Sequence, residues 1–102
     1  MYMAIPHLLF FTTTRSGPGR RMESLLAQLE RKERGRLRVT RIDPEQIGKL
    51  AERLAVTVIP TLVLVKDGMP VARLEGRSSA PQIERMLAEH LPDGNPDESL
   101  AA

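Results

Sequence analysis

The sequence predicts an α/β domain in which helices cover both faces of a four-stranded mixed sheet, in the order β-α-β-α-β-β-α. Three observations predict it. Three segments repeat apolar residues at helical spacing, short β-prone runs alternate with them, and an Asp-Gly pair joins the last two runs. With 102 residues there is room for one core. Residues 1–91 are taken as the domain. Residues 92–102, beginning Pro92-Asp93-Gly94-Asn95-Pro96, have a composition that cannot bury apolar surface and are expected to form a disordered tail.

His7 to Thr13 is an apolar, β-prone run followed at once by Ser16-Gly17-Pro18-Gly19, so it reads as a buried strand ending in a tight turn. A helix should follow from Arg20 to Arg34. Its stripe is Met22, Leu25, Leu26 and Leu29, at i, i+3, i+4 and i+7, and Gly35 supplies the stop. Leu37, Val39 and Ile42 suggest a second strand with one wet side. Asp43-Pro44-Glu45 predicts a helix start, with Asp43 as N-cap and Pro44 first in the helix. Ile47, Leu50, Ala51 and Leu54 repeat the stripe up to about Ala55.

Val58 to Val65 is the most hydrophobic strand, and Asp67-Gly68 is a two-residue hairpin signal of the type I′ kind. Pro70 to Leu74 should return antiparallel beside it. Pro70 lacks a backbone donor, which puts this strand at an edge. Ser79-Ala80-Pro81-Gln82 is a capping box, and Ile83, Met86, Leu87 and Leu91 give the last helix its buried face. Helical crossovers between the first three strands predict that all three run parallel.

Composition narrows the chemistry. The chain is 41% hydrophobic and 27% charged, as in an ordinary globular domain. It has no cysteine, which removes disulfides, thiolate metal sites and cysteine nucleophiles together. His7 and His90 are the only histidines and have no metal-ligand spacing, so no metal and no cofactor is expected. Apolar runs such as Leu8 to Phe11 are far shorter than the roughly 18 residues that cross a bilayer, so no membrane partner is expected. The first residues lack the pattern of a signal peptide, which makes the cytoplasm the expected compartment. Between Arg15 and Arg41 nine basic residues face three acidic ones. Such a stretch can serve nucleic acid or an acidic partner. A solvated, Arg-rich helix face and strand edge is the favoured reading, because the aromatics that interleave with nucleic-acid patches are limited to Tyr2, Phe10 and Phe11.

Phe10-Phe11, Ser16-Gly17-Pro18-Gly19-Arg20 opening a helix, Val58-Ile59-Pro60-Thr61-Leu62 leading through Lys66-Asp67-Gly68 into an edge hairpin, and Gly76 before the last helix together resemble the thioredoxin family. The resemblance covers residues 7–91 and implies a thioredoxin-like three-layer sandwich. The family's hallmark is Trp-Cys-Gly-Pro-Cys at the start of the first core helix. The matching positions here read Arg15-Ser16-Gly17-Pro18-Gly19. Ile59-Pro60-Thr61 matches the family's cis-proline loop, which implies a cis Ile59–Pro60 bond and backbone groups offered to an extended peptide. The family's buried aspartate aligns with Phe10, and the aromatic upstream of the motif aligns with Thr12.

Thiol–disulfide exchange needs an attacking thiolate and a resolving thiol, so that activity does not carry over. The resemblance then implies a redox-inactive domain that binds a protein or extended peptide in the groove beside the cis-proline loop. The expected binding residues are Arg15, Ser16, Gly17, Pro18, Gly19, Arg20, Arg21, Ile59, Pro60 and Thr61. Arg15, Arg20 and Arg21 flank a helix start, which suits an anionic group or an acidic partner. Two rivals stand beside this reading: a glutathione-linked enzyme of the family using Ser16, and Arg-mediated contact with nucleic acid. Ser16 as a serine nucleophile would need a neighbouring base, which neither histidine supplies. As a plain structural residue it would cap the helix or shape the turn.

Overall fold

Turn residues and apolar stripes set where each element begins in the computed structural model, which describes residues 5–13, 17–45 and 48–91. Strand β1 spans His7–Phe11, helix α1 Gly17–Lys32, strand β2 Arg38–Ile42, helix α2 Gly48–Arg53, strand β3 Thr61–Lys66, strand β4 Met69–Glu75 and helix α3 Ala80–His90. The expected order is therefore present, and the expected tail lies outside the described residues.

The sheet order is β2-β1-β3-β4. β1 and β2 are parallel, with Leu8 beside Val39 and Phe11 beside Ile42. β3 runs antiparallel to β1, Phe11 pairing with Thr61 and His7 with Val65, which corrects the expectation of three parallel strands. A parallel crossover needs a helix long enough to carry the chain back along the sheet. Here the chain leaves β2 at Ile42 and enters β3 at Thr61, both beside Phe11, so it re-enters the sheet at the end where β2 left it and β3 runs the other way.

The described part of α2 begins at Gly48, and Ile47 of the expected stripe lies outside the described residues. The Asp43 carboxylate accepts from the Glu45 N–H at 2.9 Å, two residues on, which is the bond an N-cap side chain makes to the second helical position. The far end of α2 is closed by backbone bonds from Val56 N–H to Ala51 C=O and from Ala55 N–H to Glu52 C=O, with Ala55 at φ 55°. This is the bond pattern of a Schellman cap, with alanine where glycine is usual. The Arg73 guanidinium on β4 reaches the Leu54 and Ala55 carbonyls and satisfies that helix end further.

β3 begins at Thr61, three residues later than the apolar run suggests, because a proline cannot donate to the ladder of a strand paired on both sides. Asp67 and Gly68 both have positive φ, 51° and 79°, as a type I′ turn requires. Pro70 sits on the edge strand β4, beside a bulge between Leu64 and Val65.

Alternation along the strands divides the core in two. Leu8, Phe10, Leu62 and Leu64 face α1 and α3, where Met22, Leu26, Leu29, Ile83, Met86 and Leu87 meet them. Phe11, Ile42 and Val63 face the other way, against Ala51 of α2, with Leu50, Leu54 and Ile59 packed alongside. The result is a three-layer sandwich.

Both ends of α3 are satisfied. Ser79 forms the expected capping box, its hydroxyl taking the Gln82 N–H while the Gln82 side chain takes the Ser79 N–H at 2.8 Å. The Lys66 ammonium donates to the His90 carbonyl at 2.7 Å, a cation at the negative end of the helix. Ser79→Ala should lower unfolding free energy by about 1 kcal/mol, read as a shifted denaturant midpoint at unchanged slope.

Candidate functional site

The strand directions put two groups of expected site residues at one end of the sheet. β1 ends at Phe11 beside the first residue of β3, Thr61, and only five residues separate Phe11 from the start of α1. The Pro60 loop and the mouth of α1 therefore share the end where β1 stops and β3 starts.

The loop is held from three sides. The Ile59–Pro60 bond is cis. The Pro60 carbonyl accepts from the Gly76 N–H at 2.7 Å, and the Thr61 hydroxyl donates to the Val58 carbonyl at 2.6 Å. Pro60 and Thr61 are buried, Ile59 is half-buried, and Val58 is 40% exposed. The N–H and C=O of Ile59 have no hydrogen-bond partner among the described residues. An apolar rim thus stands beside two free backbone groups, the arrangement that an extended peptide can bridge.

On the α1 side, Gly17, Pro18 and Gly19 form the first turn, with Gly17 exposed, Gly19 buried, and Arg20 and Arg21 exposed on the following residues. Arg15 and Ser16 lie outside the described residues. Thr12 is buried at the end of β1, its N–H donating to the Ile42 carbonyl at 3.0 Å. Phe10, where the family has its buried aspartate, is 1% exposed within the α1/α3 core, so no carboxylate stands under the site.

Neither histidine belongs to this end. His7 starts β1, and its Nε2 shares a hydrogen bond with the Thr40 hydroxyl on β2. His90 closes α3 beside Lys66, the last residue of β3. Neither imidazole stands at the mouth of α1.

The distant His7 has a separate consequence. Burial holds its pKa below the ordinary 6.5, Arg38 adds to the lowering, and Glu30 opposes it. The unfolded chain then takes up this proton at higher pH than the folded one. Its stabilising contribution is complete above about pH 6.5 and is lost as pH falls through the lower folded value. The thermal midpoint of the wild type, relative to His7→Gln, should fall between pH 7 and pH 5.

Two features of the site were missed from the sequence. Gly76 has φ 80°, so it can turn the chain after β4 and aim its N–H at Pro60 without a side-chain penalty. Val58, read as strand, is instead an exposed rim residue. The signal was Pro60 itself, which rules out a paired central strand on both of its sides.

The sequence profile described as Thioredoxin matches residues 3–89. A thioredoxin-like protein of Synechocystis sp. is 35% identical over 80% of this chain and 78% of its own length. The thioredoxin of Mycobacterium bovis is 31% identical over 88% of this chain and 78% of its own. Among solved structures, the germline-specific thioredoxin Deadhead of Drosophila superposes with a TM-score of 0.79 at 29% identity, covering 84% of this chain and 81% of that one.

Proposed function

The chain belongs to the thioredoxin family, and from that premise we propose that it is a redox-inactive member that holds an extended segment of a partner protein between the mouth of α1 and the Ile59-Pro60-Thr61 loop. The absence of any cysteine supports the first half, since no residue can supply the attacking or the resolving sulfur. The single observation that carries the second half is the N–H and C=O of Ile59, without a hydrogen-bond partner among the described residues, beside the exposed Val58. Backbone groups give affinity without demanding a particular sequence, and the apolar rim adds burial.

Arg20 and Arg21 bias the groove toward acidic segments. Charges near an exposed helix start contribute about 0.3–1 kcal/mol each, so a free anion binds weakly while a peptide that adds groove contacts binds usefully. The cytoplasm is the compartment that goes with this reading.

An NMR titration with an acidic peptide tests it. Amide shifts should concentrate at Gly17 to Met22 and at Ile59 to Leu62, and should shrink with added salt and in the double variant Arg20→Ala, Arg21→Ala. Shifts confined to other faces of the domain would overturn the groove assignment.

A further inference from the structure

The end of the sheet opposite the Pro60 loop carries a second concavity. It has a volume of about 370 Å³ and lies where α1 gives way to β2, lined by Ile5, Glu30, Arg31, Arg34, Leu37 and Arg38 among others. Arg38 starts β2, and the sixteen residues of α1, about 24 Å at 1.5 Å each, separate this end from Gly17.

Arg31, Arg34 and Arg38 are exposed and make no ion pair among the described residues. The one carboxylate in the lining, Glu30, is already engaged, its Oε2 accepting the Val39 N–H at 2.9 Å on the outer edge of β2. Neighbouring arginines behave differently: Arg36 pairs with Glu33 at 2.9 Å and Arg41 with Glu23 at 2.7 Å. Arg36 and Arg41 are thus paired, while three guanidinium groups and one carboxylate line the concavity, a local balance of +2. Ile5, 44% exposed, and buried Leu37 add an apolar wall.

We propose that this concavity binds the phosphate group of a small phosphorylated compound. Guanidinium forks match phosphate oxygens in pairs, and a dianion relieves the repulsion among three like charges. The volume lies at the lower end of the range for small-molecule sites, about 300–1,000 Å³. Nucleic acid is disfavoured because, among the described residues, the concavity has no aromatic side chain on which a base could stack. The site is independent of the peptide groove, and its failure would leave the groove reading untouched.

The test is an NMR titration of the whole chain with inorganic pyrophosphate, phenyl phosphate, succinate and a short single-stranded DNA. Pyrophosphate and phenyl phosphate should saturate, with amide shifts on residues 30–38, and phenyl phosphate should also move Ile5. The double variant Arg34→Ala, Arg38→Ala should weaken both at least about tenfold, as expected for losing charged hydrogen bonds. Arg53→Ala, on exposed α2, should leave both unchanged. Non-saturating shifts, equal binding of succinate, or shifts centred on Arg20 and Arg21 would overturn the proposal. So would DNA binding tenfold more tightly than pyrophosphate through the same residues, which would make this a nucleic-acid surface.

Discussion

Ser16→Cys combined with Gly19→Cys should give the chain an intramolecular disulfide, where the wild type forms none because it contains no sulfur nucleophile. The two positions stand three residues apart in sequence, the spacing of the family's Cys-Gly-Pro-Cys motif, with Gly19 in the first turn of α1. A disulfide needs Cβ atoms about 3.5–4.5 Å apart, so the bond forms if residues 16–19 keep the family's turn. If residues 16–19 keep that turn, a thiolate at position 16 would face the positive end of α1, which lowers its pKa and favours attack.

Turnover should nonetheless stay poor. The family's aspartate position is Phe10, buried among leucines, so no group accepts the proton of the second thiol. Positioned acid–base groups contribute about 10²–10⁴-fold, and the double variant should reduce insulin slower than a complete thioredoxin by a factor in that range. Mass spectrometry after mild oxidation detects the bond. A double variant that stays fully reduced would show that the turn lacks the family's geometry.

The second large effect concerns that same phenylalanine. Phe10→Ala should cost about 3–5 kcal/mol, because the ring is 1% exposed in a core cluster with Leu8, Met22, Leu26, Leu62, Ile83 and Leu87 and its loss leaves a cavity there. A domain of this size has only about 5–15 kcal/mol in total, so the variant should unfold near room temperature or need far less urea to do so. Phe10→Asp, which restores the family's residue, should be at least as damaging. A carboxylate placed there would enter a layer that offers it no donor. A Phe10→Ala midpoint near wild type would mean that the α1/α3 core is packed more loosely than described.

What could be read from the sequence was what local chemistry decides. Asp67-Gly68 needs positive φ at both residues, Ser79 and Gln82 cap each other three residues apart, and Met22, Leu26 and Leu29 of the first stripe must find a core. Each of these stands as expected, while Leu25 of that stripe stays half-buried outside the core. Features set by distance across the fold were not legible. The direction of β3 follows from the end of the sheet at which the chain re-enters, Thr61 standing beside Phe11 as Ile42 does, and no local pattern in the sequence reveals that. In the site, the Gly-Pro pair and Pro60 were visible as motifs. That Gly76 braces Pro60 and that Val58 faces solvent depend on the return of β4, which brings Glu75 beside Thr61.

Site-specific photo-crosslinking in the native host tests the account most directly. A photoreactive residue at position 59, beside the free backbone groups of the loop, should capture a partner protein. The same residue at position 53, on the exposed side of α2, should capture it far less. Crosslinks equal at both positions, or a partner captured only from position 53, would contradict the assignment of the groove as the place where this domain works.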